Sequence, residues 1–227
     1  MKRFSAVPLG LAGILLAVLP WNTAHAQRIS LNPSIGLYIP TQDLISAAST
    51  GTTDFKQDMA LTIGGRLAVW FGQRIGIEGV GNYVPSKLNF QLSSTGVTQS
   101  TTDANLFAGS GRLIVYLIPA SSPLNLSVSG GVGVVNRSGT AYANVAQKTD
   151  VGFSGGAALG IRLGPILHLT LAADSYVYDP KLTTLPSSGG TGGGPLGATT
   201  KKLTQNDINL SFGVGIPLLG LGTTKHN

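Results

Sequence analysis

Residues 150–178, DVGFSGGAALGIRLGPILHLTLAADSYVY, decide the fold. They read as two strands folded back on each other around Gly164-Pro165. Side chains of a strand alternate between two faces, and each arm sorts cleanly under that rule. On the first arm Val151, Phe153, Gly155, Ala157, Leu159, Ile161 and Leu163 share one face, with Gly152, Ser154, Gly156, Ala158, Gly160 and Arg162 on the other. On the second arm Leu167, Leu169, Leu171, Ala173, Ser175 and Val177 stand opposite His168, Thr170, Ala172, Asp174 and Tyr176. A two-residue turn would pair Leu163 with Ile166, which has the wrong phase. Pairing Leu163 with Leu167 keeps the apolar stripes together, sets Arg162 opposite His168 and leaves three residues, 164–166, in the turn.

The same alternation recurs along the chain, at 28–39, 58–71, 75–84, 103–117, 124–135 and 206–218. With the two arms of the hairpin that makes eight strands. Short connections (72–74, 118–123, 164–165) alternate with long polar stretches (40–57, 85–102, 136–149, 179–205) that read as loops, although 88–92 continues an alternating pattern and could prolong its strand. Pro33 lacks an amide donor, so a bulge is expected there. A shift of phase is expected near Gly109 to Gly111. Residues 187–197, SSGGTGGGPLG, are low-complexity sequence.

Lys2 and Arg3, an apolar run from Ala6 to Leu19 and the small-x-small site Ala24-His25-Ala26 read as a secretory signal peptide over 1–26. There are no cysteines, so backbone ladder and packing must hold an exported chain together. The full chain carries 15 Lys plus Arg against nine acids; without Lys2 and Arg3 that leaves 13 against nine, a net charge of +4. The basic residues are scattered singly, which excludes a nucleic-acid footprint. The deciding figure is the charged fraction, 11%, where a soluble domain carries about 25%. Such a chain cannot cover a water-facing sheet with charge, but it can cover a lipid-facing one.

That settles which face is outside. In a soluble carrier barrel of lipocalin type the bulky apolar face points inward. Here the opposite face is made of Gly, Ala, Ser, Thr and Asn with a few charges, Arg66, Glu78, Arg112, Arg162 and Asp174, and a histidine, His168. An eight-stranded barrel has a lumen just wide enough for side chains to fill, and small residues around paired charges suit it. Pairing the second and third strands about Gln73 sets Arg66 across from Val80 and one diagonal step from Glu78. His168 is expected to be satisfied by Asp174 or by water. Aromatics at the long-loop ends (Tyr38, Tyr83, Phe107, Phe153, Tyr176, Tyr178) and short-turn ends (Trp70, Phe71, Tyr116) are expected to form two headgroup girdles. The reading is an all-β, eight-stranded antiparallel up-and-down transmembrane β-barrel over 27–218, followed by a short tail, 219–227.

At this point the chain resembles the small outer-membrane β-barrel proteins of the OmpA transmembrane domain and OmpX-like porin families. The resemblance is architectural over 27–218. Its local match is the last strand, where Ser211, Gly213, Ile216 and Leu218 are similar to the polar-x-Gly-x-x-hydrophobic-x-hydrophobic signal shown to the barrel assembly machinery. Ile216 and Leu218 stand where that signal prefers aromatics. The resemblance implies a cleavable signal peptide, the cell outer membrane of a Gram-negative envelope, and outer-membrane lipids and the assembly machinery as partners. It also implies periplasmic termini and four long extracellular loops.

An enzyme reading finds little raw material. His168-Leu169-Thr170 resembles the His-x-Ser pair of a lipid A deacylase, with Thr for Ser and both residues in the lumen phase. Outside the signal peptide the histidines are His168 and His226, so neither a Ser/His/Asp triad nor a His/Cys metal site is expected. No cofactor is expected. Gly192 to Lys201 lacks the spacing and the strand-to-helix context of a phosphate loop. The expected role is structural or surface-binding through the loops, with a surface ligand as a further partner. The alternatives are a narrow porin-like channel, a lipid-modifying barrel enzyme and a periplasmic carrier.

Overall fold

A computed structural model describes residues 28–42, 45–47, 53–71, 73–92, 98–120, 122–143, 145, 147–164, 167–180, 200–202 and 204–219. Residues 1–26, expected as a signal peptide, residues 165–166, the Gly-rich segment 187–197 and the tail from 220 onward lie outside them. Eight antiparallel strands form a closed barrel: β1 Arg28–Pro40, β2 Ala60–Phe71, β3 Ile75–Val84, β4 Asn105–Ile118, β5 Leu124–Ser138, β6 Thr149–Arg162, β7 His168–Tyr178 and β8 Gln205–Leu219. Each strand pairs with its neighbour in the chain, and β1 closes on β8. At 10 to 15 residues the strands equal or exceed the ~9 to 11 needed to cross a bilayer tilted.

The facing is that of an inside-out barrel. Leu61 is 74% exposed and Phe153 77%, whereas Arg112 and Asp174 are 3% and 2% exposed. The outer band of Leu, Ile, Val and Phe circles the whole wall. In the hairpin of β6 and β7, Arg162 pairs with His168 and the Leu163 amide donates to the Leu167 carbonyl at 3.0 Å, the offset that keeps both apolar stripes outside.

Several local expectations need correction. The register of β1 against β8 is the same on both sides of Pro33, and the bulge falls between Ile29 and Ser30 instead. No phase shift occurs at Gly109 to Gly111, where β4 keeps register with β3 and β5; the irregularity lies between Tyr116 and Ile118. Leu106 and Arg112 are an even number of residues apart, so one unbroken alternation already places both inside.

The segments expected as loops also carry strands. Ile45–Ala47, Thr53–Gln57, Lys87–Leu92, Thr98–Asp103 and Thr200–Lys202 form a five-stranded outer sheet, ordered 200–202, 45–47, 53–57, 87–92, 98–103. It continues the wall of β2, β3 and β4: Asp58 N donates to Lys87 O and Ala104 N to Ser86 O, both at 2.9 Å. Ser/Thr-rich composition looks loop-like, yet threonine is β-branched and favours strands. Between β5 and β6, where a loop over 136–149 was expected, β5 runs on to Ser138 and a single 3-10 turn, Thr140–Tyr142, follows.

Candidate functional site: a divided lumen

The inward-facing residues fall into three levels. At mid-height Arg66 forms ion pairs with Asp174 and, at 3.5 Å, with Glu78, while Arg112 pairs with the other Asp174 oxygen. Register creates the cluster, because Arg66 lies opposite Val80 with Glu78 one step away, and Glu78 lies opposite Arg112. Two cations and two carboxylates balance, which is what a buried ionic layer requires. The Arg112 guanidinium also sits 5.3 Å from the Tyr176 ring.

Above this layer, toward the long-loop end, the lumen turns apolar. Tyr38, Val84, Leu106, Val135, Tyr176 and Tyr178 pack into a collar. The gap left there is about 10 Å³, no more than a single water needs, on the order of 10–15 Å³. A cap closes the end. Arg137 pairs with Asp150, both fully buried, with the Tyr178 ring 5.2 Å from the guanidinium. Tyr178 donates to Asp207 at 2.6 Å, Tyr142 donates to Gln57 Oε1 at 3.0 Å, and Gln57 Nε2 donates to the Ala104 carbonyl at 2.8 Å. Burial pushes the Tyr142 phenol above its usual range, so it stays a neutral donor.

Gly139 seats the Tyr142 turn with φ +100°, and a Cβ there would lie 3.0 Å from the Asp103 carbonyl carbon. Gly139→Ala is therefore expected to cost about 1–3 kcal/mol of backbone strain. The check is faster limited proteolysis between β5 and β6 with the barrel still folded; unchanged cleavage would contradict it.

Below the ionic layer the lumen opens into a cup of about 620 Å³ that faces the short-turn end. Its walls hold Trp70 stacked on Tyr116, with centroids 4.2 Å apart and planes 13° apart, and its rim holds Arg28, Arg162 and His168.

The expected lumen charges therefore separate. Arg66, Glu78, Arg112 and Asp174 come together. Arg162 instead donates to the Ala120 carbonyl at 2.9 Å. His168 is not satisfied by Asp174: six residues apart on one strand face, they stand roughly 20 Å from each other. The girdle expectation is also corrected, since Trp70 and Tyr176, 3% and 2% exposed, and Tyr38 and Tyr178 are buried inward, Tyr116 lines the cup, and Tyr83, Phe107 and Phe153 are exposed on the outer face. Ser211 and Gly213 of the last strand face inward and Ile216 and Leu218 outward.

Arg28, Arg137, Asp150 and Asp207 were missed as lumen charges. Strand parity could have found them: Arg137 continues the inward set Gly131, Gly133, Val135, and Asp150 continues Gly152 and Ser154.

The barrel is that of the small eight-stranded outer-membrane β-barrel proteins. No protein-family model and no curated sequence matches the chain. Among solved structures it is similar to the outer membrane protein OprG from Pseudomonas aeruginosa, with a TM-score of 0.62 and 14% identity over 86% of this chain and 98% of that one. Neisserial surface protein A gives a TM-score of 0.46 and 11% identity over 84% and 96% of the two chains. Outer membrane protein W of E. coli gives 0.43 and 13% over 86% and 100%. At these identities the likeness to OprG shows the fold alone.

Proposed function

We propose that the chain is a sealed, non-enzymatic outer-membrane barrel that works through its extracellular face, as a structural element of the envelope and a platform for a surface ligand. In this reading the signal peptide exports it, the barrel assembly machinery inserts it through Ser211, Gly213, Ile216 and Leu218, and the short turns face the periplasm. The observation that carries the reading is the stack of ionic layer, collar and cap. A lumen with about 10 Å³ of free space at its collar is a poor conduit, and eight strands leave no wide channel in any case. Effort is invested instead in an outer sheet drawn from three of the four long connections. The outward face is mainly aliphatic, and its Ser175 hydroxyl donates to Asn206 at 2.6 Å with no histidine beside it on that face among the described residues, which gives a lipid-modifying enzyme little to work with.

Planar-bilayer recording tests the closed lumen. The wild-type protein is expected to give no discrete steps, and single-channel events would overturn the reading in favour of a narrow porin. Deleting 187–197 tests the loops: insertion and heat-modifiable gel migration should persist while surface binding or adhesion changes. An unaltered binding phenotype would count against that segment as the contact.

A further inference from the structure

The cup at the short-turn end is not needed by a sealed, loop-presenting barrel, yet its lining is specific. About 620 Å³ lies within the ~300–1,000 Å³ of small-molecule sites. Among the described residues the only carboxylate on its lining is Glu78, engaged by Arg66 at the inner end. Arg28 and Arg162 add two positive charges at the rim.

Arg28 is the sharper of the two. Its guanidinium lies 5.8 Å over the Trp70 ring and reaches the Tyr116 hydroxyl at 3.4 Å, folding across the mouth. Among the described residues no carboxylate comes within ion-pair distance of it. An enclosed recess with walls of low dielectric concentrates such a charge. Ala68, Ile114 and the Trp70–Tyr116 stack supply an apolar wall. At the inner end Asn32 Oδ1 and Glu78 Oε1 are buried acceptors without hydrogen-bond partners among the described residues.

We propose that this cup binds a small organic anion from the short-turn side. Its carboxylate or similar group meets Arg28 and Arg162, its apolar body lies against the aromatic stack, and a hydroxyl or amide donor meets the inner acceptors. Bound there, the molecule stops at the ionic layer, so the cup is a receptor site with a closed floor and not a stage in passage.

Tryptophan fluorescence reads the site directly. The full chain contains two tryptophans; Trp21 lies in the segment read as the signal peptide, so protein produced from residue 27 onward keeps Trp70, in the cup wall, as the only reporter. Titration of that folded protein in detergent with 4-hydroxybenzoate is expected to change Trp70 emission saturably, with 4-hydroxybenzyl alcohol at least tenfold weaker. Arg28→Gln and Arg162→Gln should each weaken 4-hydroxybenzoate about tenfold, as loss of a charged hydrogen bond does. Ala158→Phe, which fills the cup without altering charge, should abolish the response while heat-modifiable migration reports an intact barrel. An alcohol that binds as well as the acid, a wild-type response that never saturates, or full binding by the Ala158→Phe protein would overturn the proposal. None of these results depends on conductance or on the loops, so this site and the surface role can fail separately.

Discussion

Asp174→Ala is expected to lower the unfolding free energy of the refolded barrel by about 3–5 kcal/mol, the range for removing one partner of a buried ion pair. Asp174 is buried and holds both Arg66 and Arg112. Its loss leaves two guanidinium groups facing the single carboxylate of Glu78. Urea unfolding in lipid vesicles, followed by far-UV circular dichroism, gives the number. Adding Arg112→Leu should recover part of the loss, because it removes one stranded charge, and the double-mutant cycle then measures the coupling. A cost below about 1 kcal/mol would mean that lumenal water solvates these charges and that the layer is not a dry seal.

Leu171→Arg should be nearly as damaging, for the opposite reason. Leu171 is 59% exposed at mid-strand, flanked across the ladder by Leu159 and Phe212. If that surface meets hydrocarbon, arginine near the midplane costs about 2–4 kcal/mol. On a water-facing barrel the same exchange would fall within about 0.5 kcal/mol of neutral. The measurement is again urea unfolding, made in vesicles and not in detergent, which tolerates a surface charge. Near-neutrality in vesicles would remove the membrane from the account.

Parity carried the sequence reading furthest. Once 150–178 was divided into bulky and small faces and the low charge was noted, the eight strands, their facing and the Arg66–Glu78 diagonal all followed from local rules. Parity also held the information that was not used. Tyr38, Trp70, Tyr116 and Tyr176 share the small-residue phase, and weight given to their position near strand ends put them in girdles when their phase put them inside. Asp150 opened the quoted stretch but was left off both faces, and Arg137 fell in what looked like loop because β5 outlasts its apolar pattern by several residues. There the wall has left the depth at which an aliphatic outer face is needed, so the alternation fades while the hydrogen-bond ladder continues. The outer sheet was hidden for a different reason. Its pairings join segments far apart in the chain, such as Thr200–Lys202 with Ile45–Ala47, and no local period reports a partner 155 residues away.

That long-range pairing has a consequence for the order of assembly. Residues 200–202 occupy an edge of the outer sheet against a segment from the first connection, so the sheet cannot be completed until nearly the whole chain is present and β8 is approaching β1. Contacts of such high sequence separation form late, because the loop-closure entropy must be met first. The surface of the molecule thus becomes complete only when the barrel does. A binding partner that requires this edge would meet finished barrels and pass over stalled ones, a form of maturation control written into topology.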